Sequence, residues 1–363
     1  MSRSDVAAPE RRPVSIVLCA DTSPTQPFGS LSPGVDAVFD VVRNADFALA
    51  NVEIPLTVRG APVHKLLNIR ADPERAKDLA AAGIGLAALA NNHAVDYGWE
   101  GLQDTVQALN TAGIRTVGVG ANHGLARAPV FTQVNGLRIG TVAFSCLTPT
   151  GMGAGADRPG ISALHVRTAY EIDPWYQMEE PGDPGVVKIR TRLGDEELAA
   201  LRTDVQAARQ QCDLLIASVH WGFGATHERA EYQTQLAHEL VDAGADVVHG
   251  HHPHALQPIE FYRGRLVIYS ANVFIGQQVL LPASEFVHKL WAQMSPLGFL
   301  TCIHWHHGGA FEVRLRPTRL DADRLPRFAQ GQDLDQVAAV LSEISPGTCV
   351  GVEGDALVVR PKG

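Results

Sequence analysis

The feature that most constrains this chain is an alternation. Short apolar, β-branched runs (VSIVLCA, FALANVE, GIGLAALANNH, LRIGTVAFSC, CDLLIASVHWG, ADVVHGHHPH, LVIYSANVFIG) are separated by amphipathic stretches such as PERAKDLAAA, WEGLQDTVQALNTAG and RAEYQTQLAHELVDAG. Apolar runs of that length are strands buried on both faces, and the stretches between them carry apolar residues at helical spacing. The pattern predicts an α/β fold in which helices cover buried sheets. The 363 residues would fill one large or two ordinary domains. With no internal repeat or low-complexity linker, the chain reads as one domain over 1–363. Its last fifty residues read as β-rich, with a helix around DLDQVAAVLSEI. The Gly-, Pro- and aromatic-rich stretch from 150 to 190 lacks clear periodicity and is expected to be an excursion that binds or covers substrate.

Composition narrows the function. Hydrophobic residues make up 45% and charged residues 19%, as in a globular enzyme. With 39 acidic against 30 basic residues the net charge is -9, which argues against a general nucleic-acid groove. The first apolar run meets Asp21 too early for a signal peptide, and no run is long enough to cross a bilayer, so a cytoplasmic location without membrane contact is expected. The five scattered cysteines, free of C-x-x-C spacing, fit buried thiols in a reducing compartment.

Polar residues collect where the strands end: Asp21 after the first, Asn51 and Glu53 after the second, Asn92 and His93 after the third, His220 after a later one. HGHHPHA, with four histidines in seven positions, follows another. Ligands gather at the carboxyl ends of strands in α/β sheets, where loops from neighbouring strands converge. A lone histidine is usually a core or surface residue, but His252 and His254 lie two apart around a stiffening proline, where both rings can face one centre. With Glu53, Asp21, Asn92 and His220 they form a mixed oxygen and nitrogen donor set, suited to one divalent ion (Ca, Mn, Mg, Fe or Zn) rather than to a thiolate site.

The blocks ANVEIPLT, LANNHAVDYGWEGLQDTVQALNTAGI, HWG and DAGADVVHGHHPHALQPIEFYRGRLVIYS resemble the CapA (poly-γ-glutamate capsule biosynthesis) family, a branch of the calcineurin-like metallophosphoesterases, from about residue 15 to about 275. The resemblance implies a calcineurin-like four-layer αββα sandwich with metal at strand ends. It places Glu53, Asn92, His220 and His252 as ligands of one metal. Asp21 stands at the start of an Asp-x-His motif whose histidine is replaced by Ser23, so the other metal position lacks a ligand. Two-metal phosphoester hydrolysis clamps both the attacking and the leaving oxygen, and a site short of one ligand is poorly equipped for it. What remains beside one metal is Asp21 with His254 and His93 with Asp96, two pairs suited to general acid/base work. They could remove a proton from one face of a carbon and return one to the other. Some CapA-like proteins of ribosomal-peptide pathways, the lasso-peptide epimerases, are thought to do this at a precursor's C-terminal residue, and the chain resembles such a branch.

The expected function is therefore metal-dependent epimerisation of a peptide substrate. The alternatives are a phosphoesterase or related hydrolase and a non-catalytic component of poly-γ-glutamate synthesis. Asp96 could instead cap the following helix. Lys65, His64 and Arg70 could meet a substrate carboxylate or phosphate, or lie solvated on the surface. Trp221 could pack on substrate or belong to the core. His251 is read as support for its turn, and His249, His304, His306 and His307 as strand or loop residues.

Overall fold

The computed structural model of the chain describes residues 12–363. Two sheets face each other. The first is built around four parallel strands, β1 (Val14–Thr22), β2 (Phe47–Val52), β3 (Leu86–Ala88) and β4 (Arg115–Val117). Strand Leu297–Trp305 pairs antiparallel with β1, and the sheet continues through Phe311–Leu320, Ala356–Pro361 and Thr348–Glu353. The C-terminal β-rich region thus completes the first sheet, with the helix Gln332–Ile344 on the stretch DLDQVAAVLSEI. In the second sheet Leu137–Ser145, Leu214–His220, Val247–His251 and Arg265–Ile268 run parallel, with antiparallel strands at both edges.

Side-chain parity explains why four layers result. In Leu214–His220, Leu214 and Ile216 belong to the core shared with the first sheet. Leu215, Ala217 and Val219 belong to a second core with the helices Asp195–Arg209 and Glu231–Asp242. The period of two then turns Ser218 and His220 to the same side as Leu214 and Ile216, the space between the sheets. Val247, His249 and His251 follow the same rule, with Val248 on the helix side. The outcome is helix, sheet, sheet, helix, the calcineurin-like α/β sandwich that the resemblance implied.

The stretch from 150 to 190 is more regular than its composition suggested. Gly160–Ile161 bridges Val119–Gly120, and Val166–Ile172 pairs antiparallel with Val187–Leu193 to form a two-stranded ribbon. A short helix, Pro174–Glu179, sits at its tip, with the Asp173 carboxylate accepting from the backbone of Trp175 and Tyr176. The alternation in Val166–Ile172 is a strand signal that the surrounding glycines and prolines obscure.

Candidate metal centre

Five strand ends of the two sheets meet at one buried cluster. Asp21 lies at the end of β1, where the register with β2 shifts between Cys19 and Asp21. Its Oδ1 accepts from Asn51 Nδ2 at 2.7 Å and its Oδ2 from the backbone N–H of His252 at 3.0 Å. His254 Nδ1 lies 3.2 Å from Oδ2, and His251 Nδ1 3.6 Å from Oδ1. Burial pushes the Asp21 carboxyl up, but the hydrogen bond and charge of His254, helped by His251 and His220, outweigh it and hold the group below the usual carboxylate range.

Glu53 is the reverse case. It is 2% exposed, and neither carboxylate oxygen has a hydrogen-bond partner. Burial, then the charge of Asp21, pushes it up to about 8. A buried carboxylate left bare on both oxygens is costly unless something cationic answers it. The nearest groups are donors too: His220 Nε2 is 3.4 Å from Oε1 and His254 Nε2 3.7 Å from Oε2. Asn92 Oδ1 lies 2.8 Å from His220 Nε2, and His252 Nδ1 is buried without a partner. Metal bonds of about 2.0–2.2 Å put neighbouring ligand atoms about 3–3.5 Å apart, so these separations fit convergence on one ion. Glu53, His252 and His254 each offer a ligand atom within 4.8 Å of the others. Burial also keeps the nitrogen donors neutral, as ligation requires. It lowers His220 well below its ordinary value, and, with the charge of His254, takes His252 down to about 3. His254 goes the other way, to about 9, because Glu53 and Asp21 outweigh its burial. His254, read from the sequence as an acid/base group, stands beside the donors by position while its raised basicity keeps it in the protonated, acid form.

A second histidine–carboxylate pair borders the cluster. His93 Nδ1 lies 2.7 Å from Asp96 Oδ2, and the fully buried Asp96 also accepts from Lys65 Nζ at 2.6 Å and from the Ile69 backbone at 2.8 Å. Burial lowers His93 despite Asp96, and the nearby Lys65 charge lowers it further. The capping role considered for Asp96 is not the one it plays: the next helix, Gly98–Thr111, starts from Tyr97 with no side-chain cap. Lys65 also donates to the Asn92 carbonyl at 2.7 Å, so it braces the Asn92–His93 turn. Arg70 is exposed and lies over the Tyr97 ring at 4.4 Å. Trp221 is corrected to a core residue. It is completely buried, stacks on Tyr269 with ring centroids 5.6 Å apart, and donates to the Tyr269 carbonyl at 2.9 Å, so it offers substrate no surface.

The structure gives a role to Asn51, which the sequence placed at a strand end without one, and adds Asn91. Asn51 holds Asp21 and lies 3.4 Å from His220 Nδ1, while Asn91 donates to Asn51 Oδ1 at 3.2 Å and accepts from the His93 backbone at 3.1 Å. Their signal was their position at the ends of β2 and β3. Ser23 is buried and its hydroxyl donates to the Glu53 carbonyl at 3.2 Å, so the residue in the lost histidine's place serves the backbone. His251 Nε2 lies 3.0 Å from Ser218 Oγ, on the interior side. His304, in the strand opposite Ser15, and His306 and His307, just after that strand, sit far off at the opposite end of β1, where Trp305 pairs with Val14.

Fold and site together define a metallophosphoesterase-like α/β protein with a donor cluster at its strand ends. The chain matches the family described as "Bacterial capsule synthesis protein PGA_cap" over residues 11–278, and it belongs to that family. A Mycobacterium tuberculosis protein named a probable polyglutamine synthesis accessory protein is 31% identical over 290 residues, covering 78% of this chain and 69% of the relative. The PGA biosynthesis protein CapA of Bacillus subtilis is 28% identical over 252 residues, covering 68% and 58%. The capsule biosynthesis protein CapA of Bacillus anthracis is 29% identical over 253 residues, covering 68% and 55%. Among the described residues no helix is long and apolar enough to cross a membrane.

Proposed function

We propose that the chain is a metal-dependent acid/base enzyme that inverts the Cα of a residue in an amide-linked amino-acid chain, in its sharpest form the C-terminal residue of a ribosomal (lasso) precursor peptide. The observation that carries this reading is the placement of two His–Asp pairs beside a buried donor cluster in which both Glu53 oxygens and His252 Nδ1 have no hydrogen-bond partner. Glu53, His220, His252 and Asn92 would hold a divalent ion, with His254 beside them. A bound ion supplies electrostatic stabilisation for the negative charge that Cα deprotonation leaves on the adjoining carboxylate or carbonyl.

The residues divide the remaining work. Asp96 occupies His93 Nδ1, so His93 takes a proton through Nε2, and its low basicity leaves it neutral and ready to do so. Asp21 steadies His254 as an imidazolium, the form that returns a proton. Removal by one pair and return by the other breaks one Cα–H bond and forms its mirror image, with no net change in protons. Phosphoester hydrolysis has less support, because Ser23 supplies no metal ligand and both Asp21 oxygens are already engaged.

The relatives' names favour a second reading, an accessory part in making a polyglutamate-type capsule polymer. One experiment separates the two. The chain is incubated in deuterium oxide with a candidate precursor peptide or a γ-linked glutamate oligomer, and mass gain at Cα is followed by mass spectrometry with and without chelator. Chelator-sensitive exchange supports the epimerase. No exchange on either probe, with metal bound, rejects it and leaves the accessory role.

A further inference from the structure

His251 has no part in the division of work above, yet its ring stands directly behind one of the two pairs. It is the last residue of the strand Val247–His251, and parity turns its side chain, like that of His249, into the space between the sheets. Trp221 donates its backbone N–H to the His251 carbonyl at 3.1 Å, and the His249 ring packs edge-on against the His251 ring with centroids 4.5 Å apart. The imidazole is thus held by a strand and its packing, not by a loop. Nε2 lies 3.0 Å from Ser218 Oγ, and Nδ1 lies 3.6 Å from Asp21 Oδ1. A neutral imidazole carries one N–H. With the proton on Nε2, a lone pair would stand beside a buried carboxylate oxygen. With the proton on Nδ1, an N–H dipole stands there instead and the Ser218 hydroxyl donates to Nε2, so charge favours the second arrangement. The 3.6 Å separation is longer than a hydrogen bond, but a dipole beside a charge acts over that distance in a low-dielectric interior.

We infer that His251 is a positioning residue for the acid His254: oriented by Ser218, it presents Nδ1–H to Asp21 Oδ1, and Asp21 passes that orientation on through Oδ2, 3.2 Å from His254 Nδ1. Asp21 then has donors around both oxygens, Asn51 Nδ2 and His251 at Oδ1, the His252 N–H and His254 at Oδ2. A carboxylate surrounded in this way has one orientation, and so has the ring it serves. The other pair is backed in a parallel manner, since Lys65 holds Asp96 behind His93. Asp21 and His251 are each 1% exposed and Ser218 2%, so none of the three offers substrate a surface. Any effect of His251 on the chemistry therefore runs through Asp21 to His254. The inference rests on the acid role assigned to His254 above.

The first test needs no turnover. In the full chain, isotope-labelled at the histidine ring nitrogens, long-range proton–nitrogen correlation spectra report which nitrogen carries the proton. His251 is expected to be neutral with its proton on Nδ1, and His251→Leu is expected to shift the His254 Nδ1 resonance. A proton on His251 Nε2, or a His254 resonance indifferent to the substitution, overturns the inference. Should His251→Leu misfold, the proton position in the native chain decides. In the deuterium-exchange assay His251→Leu is expected to lower kcat about tenfold or more with KM and metal content unchanged, and His251→Asn, whose amide N–H replaces Nδ1–H, is expected to recover most of the loss. Equal loss in both variants, or a loss carried by KM or by metal content, marks a purely structural residue and overturns the inference. A native chain that exchanges no probe counts against the epimerase reading, and the proton position and the His254 resonance then decide by themselves whether His251 orients that ring.

Discussion

His252 and His254 carry positive φ angles, 92° and 47°, a backbone region that L residues seldom enter, and they flank the rigid Pro253. Such strain persists where the surroundings enforce it, here the Asp21 carboxylate that accepts the His252 N–H. The sequence spacing foretold that both rings could face one centre. It could not foretell that His254 would lie between Asp21 and Glu53, because that depends on the left-handed turn. The two sets of residues are expected to separate experimentally. His252→Ala should lose most of the bound metal in an elemental analysis. His93→Ala should keep it while any Cα exchange falls at least about a hundredfold, the scale of a lost general base. Loss of metal in both variants would contradict the division.

At the scale of elements, strand parity did most of the predictive work. Apolar runs ending in a polar residue placed His220 and HGHHPHA at strand ends, and alternation decides which of their side chains enter the space between the sheets. Trp221 was ambiguous for the same reason: the residue after a strand-end ligand could turn either way, and it turns into the second core. Gly250 makes that packing possible. A Cβ there would collide with the Tyr269 carbonyl and with Trp221 Nε1. Gly250→Ala is therefore expected to cost at least about 2 kcal/mol in denaturant unfolding and to weaken metal binding, since the strand it displaces carries His251 and leads into His252. Stability within about 0.5 kcal/mol of the native chain would show that the strand can shift at little cost. At the other end of β1, Asp46 accepts from the Ser15 backbone and hydroxyl and from Arg12 and Asn135. Its pKa is lowered, by Arg12 first, so it stabilises the fold above the ordinary carboxylate pKa and that stability is lost as pH falls. Asp46→Asn should lower stability by about 1–2 kcal/mol at pH 7, mostly through the Ser15 bonds, because the exposed Arg12 pair adds little. The deficit should shrink in acid, and a deficit that is constant with pH would refute this account.

For the whole molecule, the layered architecture was legible because two cores written in alternating parity leave few other arrangements. The ribbon was not, since its register and outward face are tertiary facts. The histidine cluster gives the molecule a characteristic acid response. Burial lowers His251 to about 4 and His252 to about 3, against an ordinary value of 6.5. The unfolded chain therefore binds more protons than the folded one below about pH 6.5, and their contribution to stability is lost as pH falls toward 4 and 3. Glu53 and His254 are shifted upward, so their contributions fade as pH rises toward about 8 and 9. Chelator-treated protein should thus melt highest at intermediate pH. Added metal should raise the melting temperature most on the alkaline side, where Glu53 gives up its proton to serve as a ligand. A metal effect equal at pH 5 and pH 8 would contradict this assignment of the donors.

The most direct test of the central claim, one metal ion held by the buried donors around Glu53, is the metal content per chain of the purified protein, with Glu53→Gln in parallel. The account predicts close to one divalent ion per native chain and almost none in the variant. Two ions per native chain, or one that Glu53→Gln retains, would contradict it.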